Sequence, residues 1–219
     1  MTEGEPLLDF LDDMRRLRRE CPWKREQTHR SLARYLQEET AETLEAIDTG
    51  DSAHLREELG DLLLQVYFHA VIAEEAGDFT LEDVARDISD KMHRRNPHVF
   101  GADGGPARTS ARTSSLTAAE VDAQWQRIKA EEKSRQSPYD GIPPGLSALL
   151  LATKVLERRP TALAGSATPG DAAPDQVGGE HQAADLGDRL LALVIEAHAA
   201  GLDPEQALRD TLRRTVPER

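Results

Sequence analysis

Residues 37–61 read QEETAETLEAIDTGDSAHLREELGD, with nine acidic residues and one arginine in the stretch. Gly50 divides it into two segments of helical character, the first carrying Glu38-Glu39-x-x-Glu42 and the second Glu58-x-x-Asp61. At about 100° per residue, Leu32, Leu36, Thr43, Ala46 and Ile47 fall on one helix face. Glu39 lies inside that face, roughly 20° from Leu32. Glu42 sits on its edge, Glu38 further round, and Glu45 well outside. A carboxylate among core positions has to be paired, protonated or bound to a cation, because burying it charged and alone costs several kcal/mol. In the second segment Leu55, Leu59, Leu62, Leu63, Val66 and Ala70 form the main apolar face, and Glu58, Asp61, Gln65 and His69 run in a stripe beside it. The two segments are read as two halves of one divalent-metal site.

The remainder of the chain extends this all-α reading. It has 219 residues, 38% hydrophobic and 31% charged but only 4% aromatic. Unbranched side chains of the Ala, Leu, Glu and Arg kind favour helices, whereas strands favour β-branched and aromatic residues. Leu7, Leu8, Leu11, Met14 and Leu17 have helical spacing up to Pro22, and the last turns carry Arg15, Arg16, Arg18 and Arg19. These basic residues fit a solvated helix end that complements the dipole. Residues 21–29 read as a loop holding Trp23. A helix capped by Asp51 runs to about Glu75 and is apolar nearly all round between Leu62 and Ile72, since Leu64, Phe68 and Val71 cover the far side. Such a helix belongs in a bundle interior or a subunit interface. Thr80 with Asp83 forms a capping box that opens a helix closed by Pro97, and Lys91 and Arg95 share one face of it. A Lys/Arg pair facing an acidic metal site fits phosphate oxygens. Thr117 with Glu120 opens another helix, through about Ser134, in which Trp125 is a packing residue.

A worn internal repeat follows. Residues 185–191, DLGDRLL, echo 58–64, ELGDLLL, and the helical Leu146–Arg159 resembles Leu7–Arg19. Nothing in the second copy matches the Glu38-Glu39-x-x-Glu42 helix. The expected organisation is a catalytic helical module over 1–100, a linker over 101–116, a helical connector over 117–160, a flexible linker over 161–181 and a degenerate second module over 182–219.

Composition also limits function. A net charge of −13 argues against binding a nucleic-acid polymer, which depends on Lys and Arg neutralising phosphates. Cys21 is the only cysteine, so no intramolecular disulfide forms, and a reducing, cytoplasmic setting is expected. No apolar run approaches the length of a membrane span. Oxygen-only ligands select hard cations, Mg²⁺ or Mn²⁺, and clustered carboxylates then suit a phosphorylated small molecule. Glu26-x-x-His29 is half of a di-iron carboxylate motif, but the chain offers no second Glu-x-x-His to complete it.

Glu38-Glu39-x-x-Glu42 followed by Glu58-x-x-Asp61 resembles the signature of the all-α nucleoside triphosphate pyrophosphohydrolases. The flanks are similar to the MazG family in particular: Cys21-Pro22-Trp23 with Gln27-Thr28, residues 58–63 (ELGDLL), and Arg94-Arg95-x-Pro97-His98-Val99-Phe100. The likeness runs from about Leu7 to Glu132. It implies Mg²⁺-dependent cleavage between the α- and β-phosphates of (d)NTPs, a homodimer, and a housekeeping role in clearing nucleotides. By motif position, Glu39, Glu42, Glu58 and Asp61 would be metal ligands, and Glu38 an additional ligand or the group that activates water. Lys91, Arg94 and Arg95 would hold phosphates, and Trp23 would line the nucleotide pocket. The family usually has an acid directly after this Trp, where this chain has Lys24. The competing readings are a pyrophosphatase restricted to one dUTP-like or damaged nucleotide, and a non-enzymatic helical module that binds nucleotide or a partner protein.

Overall fold

The computed structural model describes residues 5–100, 116–132, 136–159, 161–163 and 179–216, and every regular element among them is a helix. The chain divides into two compact units, Met1–Lys129 and Ala130–Arg219. Most of the expected linkers, at 101–115 and 164–178, lies outside the described residues.

In the first unit α1 (Glu5–Glu20), α2 (Pro22–Glu26), α3 (His29–Thr49), α4 (Ser52–Ala76), α5 (Leu81–Arg95) and α6 (Pro97–Phe100) precede α7 (Ala118–Glu131). Helix α3 opens on a reciprocal cap, in which the Ser31 N–H donates to Thr28 Oγ1 and the Thr28 N–H to Ser31 Oγ. It stops at Gly50, whose φ of 74° is open to glycine at little cost and lets its N–H reach back to the Ala46 and Ile47 carbonyls. Asp51 then caps α4 by accepting from the Ala53 and His54 N–H groups, so its carboxyl is held below the usual range. The left-handed glycine that ends α3 and the cap that opens α4 occupy adjacent positions, which turns α4 back along α3 as an antiparallel pair. This is the most extensive helix packing in the unit.

The core is Leu11, Met14, Leu32, Tyr67, Phe68 and Val71, with Phe10, Tyr35, Leu63, Leu64, Ile72 and Leu81 packed around it. Burying Phe68, 2% exposed, contributes about 2–3 kcal/mol. The face of α4 that fills the core therefore differs from the expected one. Phe68 and Val71, placed on the far side, are buried with Tyr67, while Leu59 and Val66 of the expected main face are 52% and 45% exposed. Ala70 alone of that face is fully buried; Leu55, Leu62 and Leu63 are half-buried. Apolar residues surround this helix, and periodicity alone does not say which side meets α1 within one chain.

Two further expectations are corrected. Residues 22–26 form the short helix α2 instead of loop, with Pro22 at its first position, where its missing N–H costs nothing. Arg18 does not face solvent. At 7% exposure its Nε donates to Glu75 Oε1 at 3.0 Å, and its Nη1 donates to both the Lys24 and Gln27 carbonyls. Arg15 pairs with Glu74 at 3.0 Å. These two arginines fasten α1 and the α2 segment to the end of α4.

In the second unit α8 (Ala148–Arg158), α9 (Gly179–Ala199) and α10 (Pro204–Thr215) pack against one another around Val155, Leu156 and Val194. Arg158 donates to the Pro138 and Asp140 carbonyls, fixing the turn before α8. No described helix is long and apolar enough to cross a membrane.

Candidate metal centre

The antiparallel α3–α4 pair places two heptad-spaced columns opposite each other. On α3 the column is Leu32, Glu39 and Ala46; on α4 it is Glu58, Gln65 and Ile72. Seven residues make nearly two turns, so each column keeps to one line along its helix. The carboxylate in each column lies on a line of otherwise uncharged residues, which accounts for the burial of Glu58 (7% exposed) and the half-burial of Glu39.

One oxygen each from Glu39, Glu58 and Asp61 lie within 4.8 Å of one another. Burial pushes the Glu39 carboxyl up, and the charges of Asp61, Glu42, Glu58 and Glu38 push it the same way. Glu42 is raised by desolvation and then by Glu58, Glu38 and Asp61, with His54 opposing. Three anionic groups gathered without a cation repel one another, and one of their atoms is orphaned. Glu58 Oε1 lies 3.1 Å from His54 Nε2, and Glu58 Oε2 is buried without a hydrogen-bond partner. A buried acceptor left unmade costs about 1–3 kcal/mol, more when charged. The oxygen-only donor set, its spacing and this orphaned oxygen all fit a hard divalent cation.

Of the residues expected as metal ligands, the structure brings together Glu39, Glu58 and Asp61. Glu42 is exposed and stands outside that cluster. Glu38 is also exposed, and so is Glu45. Trp23 lies on α2, 49% exposed, with its ring edge-on to Tyr35 at 6.1 Å. Lys24, standing where an acid is expected, extends over the faces of both Trp23 and Phe68 at 5.7 and 5.1 Å. Lys91 is half-buried and Arg94 exposed, while Arg95 is buried with its guanidinium 5.1 Å from the Trp125 ring.

Three features escaped the sequence reading. His54 stands one turn before Glu58, and the i,i+4 spacing that lets a donor reach a carboxylate was there to be read. Trp125 covers Lys129 at 4.6 Å, an i,i+4 pair, and also Arg95, thirty residues earlier, which no local pattern links to it. His29 and His69 stack parallel and share a hydrogen bond between their Nδ1 atoms at 2.7 Å, pinning the start of α3 to the middle of α4. Burial, then the neighbouring His29, holds His69 below the usual histidine range.

Residues 27–100 match the MazG nucleotide pyrophosphohydrolase domain. An uncharacterized 26.1 kDa protein of Streptomyces cacaoi is 44% identical over 94% of this chain and 78% of its own length. The nucleoside triphosphate pyrophosphohydrolase/pyrophosphatase MazG of Thermotoga maritima is 37% identical over 90% of this chain and 76% of its own length. The nucleoside triphosphate pyrophosphohydrolase of Mycobacterium tuberculosis is 42% identical over 84% of this chain, which spans about half of that longer protein, 52%. The matched segment contains both acidic helices, and likeness of this extent shows the chain to be a member of the MazG family of nucleotide pyrophosphohydrolases.

Proposed function

We propose that this chain is a Mg²⁺-dependent nucleoside triphosphate pyrophosphohydrolase that cuts (d)NTPs between the α- and β-phosphates, releasing a nucleoside monophosphate and pyrophosphate. The observation that carries this reading is the orphaned Glu58 Oε2 beside Glu39 and Asp61, in a chain of the MazG family. Mg²⁺, or Mn²⁺ in its place, neutralises polyphosphate charge and lowers the pKa of a bound water. Glu39, Glu58 and Asp61 hold the ion, with Glu42 completing the set from the rim. Glu38, exposed at the same rim, accepts the proton of the attacking water as its oxygen bonds to the α-phosphorus and pyrophosphate leaves. Lys91, Arg94 and Arg95 orient the phosphates, and Trp23 offers the nucleoside an aromatic wall.

Exposed Leu36, Ile47, Leu59 and Val66 on α3 and α4 support a homodimer, because apolar side chains of adjoining helices gain from being covered by a second copy. The role is clearance of unwanted nucleotides in the cytoplasm, consistent with the free Cys21.

The test is separation of the products formed from ATP and from each dNTP. Monophosphate plus pyrophosphate should appear, require Mg²⁺ and disappear in Glu39→Ala; diphosphate plus orthophosphate overturns the assigned bond. Sedimentation should give twice the chain mass of 24.2 kDa.

A further inference from the structure

We infer that His54 is a positioning residue that makes Glu58 a one-oxygen ligand and so tunes the centre to small divalent ions over large ones. The inference rests on the metal reading above and concerns a residue that reading does not use.

The geometry is a short relay. Asp51 accepts from the His54 backbone N–H at 3.2 Å, fixing His54 in the first turn of α4. One turn on, His54 Nε2 meets Glu58 Oε1 at 3.1 Å. The second oxygen, Oε2, is left buried and unpartnered. Glu58 therefore has one oxygen committed and one to offer. The side chain is 9% exposed and is confined by packing, so it has little freedom to swing both oxygens towards one ion while Oε1 is held.

The number of oxygens a carboxylate offers matters to the ion. Mg²⁺ demands near-octahedral geometry at short distances and takes carboxylates through single oxygens, whereas Ca²⁺ accepts six to eight oxygens and readily takes both from one carboxylate. Holding Oε1 favours the smaller ion. Releasing it allows Glu58 to present both atoms and favours the larger one.

The measurement is Mg²⁺ and Ca²⁺ affinity by titration calorimetry on the nucleotide-free full chain, for the native protein, His54→Ala, His54→Gln and Glu58→Gln. In His54→Ala, Mg²⁺ affinity should fall about ten- to hundredfold, the range seen when an outer partner of a metal ligand is lost. Ca²⁺ affinity should fall less or rise, so the Mg²⁺/Ca²⁺ ratio drops. His54→Gln, whose amide nitrogen can take the place of Nε2, should restore the ratio. An equal loss for both ions, or an unchanged ratio in His54→Ala with Glu58→Gln abolishing binding, overturns the role of His54 and leaves the metal centre standing. Absence of divalent binding by the native chain overturns both.

Discussion

Helices α4 and α9 carry nearly the same residues, ELGDLLL at 58–64 and DLGDRLL at 185–191, and come to opposite ends. On α4 the two acids meet Glu39 of α3, one is buried, and an oxygen is left without a partner. On α9, Asp185 and Asp188 are exposed, and Asp185 makes only a solvent-washed pair with Arg189 at 4.0 Å, worth little. Helix α9 packs on α8 and α10 through its second half, around Val194, and among the described residues of that unit no helix matches the Glu38-Glu39-x-x-Glu42 helix. A spaced pair of carboxylates is thus only a helix surface until a second helix removes its water and adds a third charge.

The comparison can be broken most sharply by activity. Asp61→Ala should lower pyrophosphate release at least about hundredfold, since losing a ligand costs no less than losing a residue that orients one. A variant retaining near-native turnover would remove the basis for distinguishing the two helices. The fastening of the first unit comes next. Arg18→Met should lower stability in urea by about 1–3 kcal/mol, discounted because Glu75 is itself partly exposed. Because Arg18 donates to the Lys24 and Gln27 carbonyls, this variant should also raise KM by loosening the Trp23 segment.

A smaller effect depends on pH. The Thr80 N–H, its hydroxyl and then Arg86 hold the Asp83 carboxyl below the usual range. A depressed folded-state pKa contributes stability above the unfolded value, about 3.9, and loses it as pH falls through the folded one. Asp83→Asn should therefore melt below the native protein at neutral pH, with the gap closing below about pH 4. A gap that persists into acid would show that the carboxylate charge is not what holds the cap. The smallest effect should come from Asp188→Ala, the α9 counterpart of Asp61. It should leave turnover unchanged and stability within about 0.5 kcal/mol. A loss of activity there would mean that the second unit takes part in catalysis.

Much of this was legible in the residues. Asp51, Thr80 and Gly50 punctuate the helices through short-range hydrogen bonds and one special backbone conformation, which local sequence encodes directly. Glu39 was conspicuous because it interrupts an apolar face, and it lies in the cluster. Glu58 was placed in a stripe beside the core, and its burial followed only from the line it shares with Gln65 opposite α3. The inversion of the α4 faces and the burial of Arg18 were not legible. Both depend on which neighbour lies alongside, a contact between residues more than fifty positions apart. A run of arginines at a helix end looks the same whether it meets water or a distant glutamate.

Arg15 and Arg18 join α1 and the Trp23 segment to Glu74 and Glu75 near one end of α4, while Glu58 and Asp61 stand near its other end. The intervening helix acts as a gauge of fixed length and phase. Changing the length of a surface loop alters reach only slightly, but inserting or deleting one residue between Asp61 and Glu74 would turn one end about 100° against the other. Under the proposed function, the acids and the Trp23 ring could then no longer serve the same nucleotide. The number of residues between the two ends of α4 is therefore fixed by the two sets of contacts it separates.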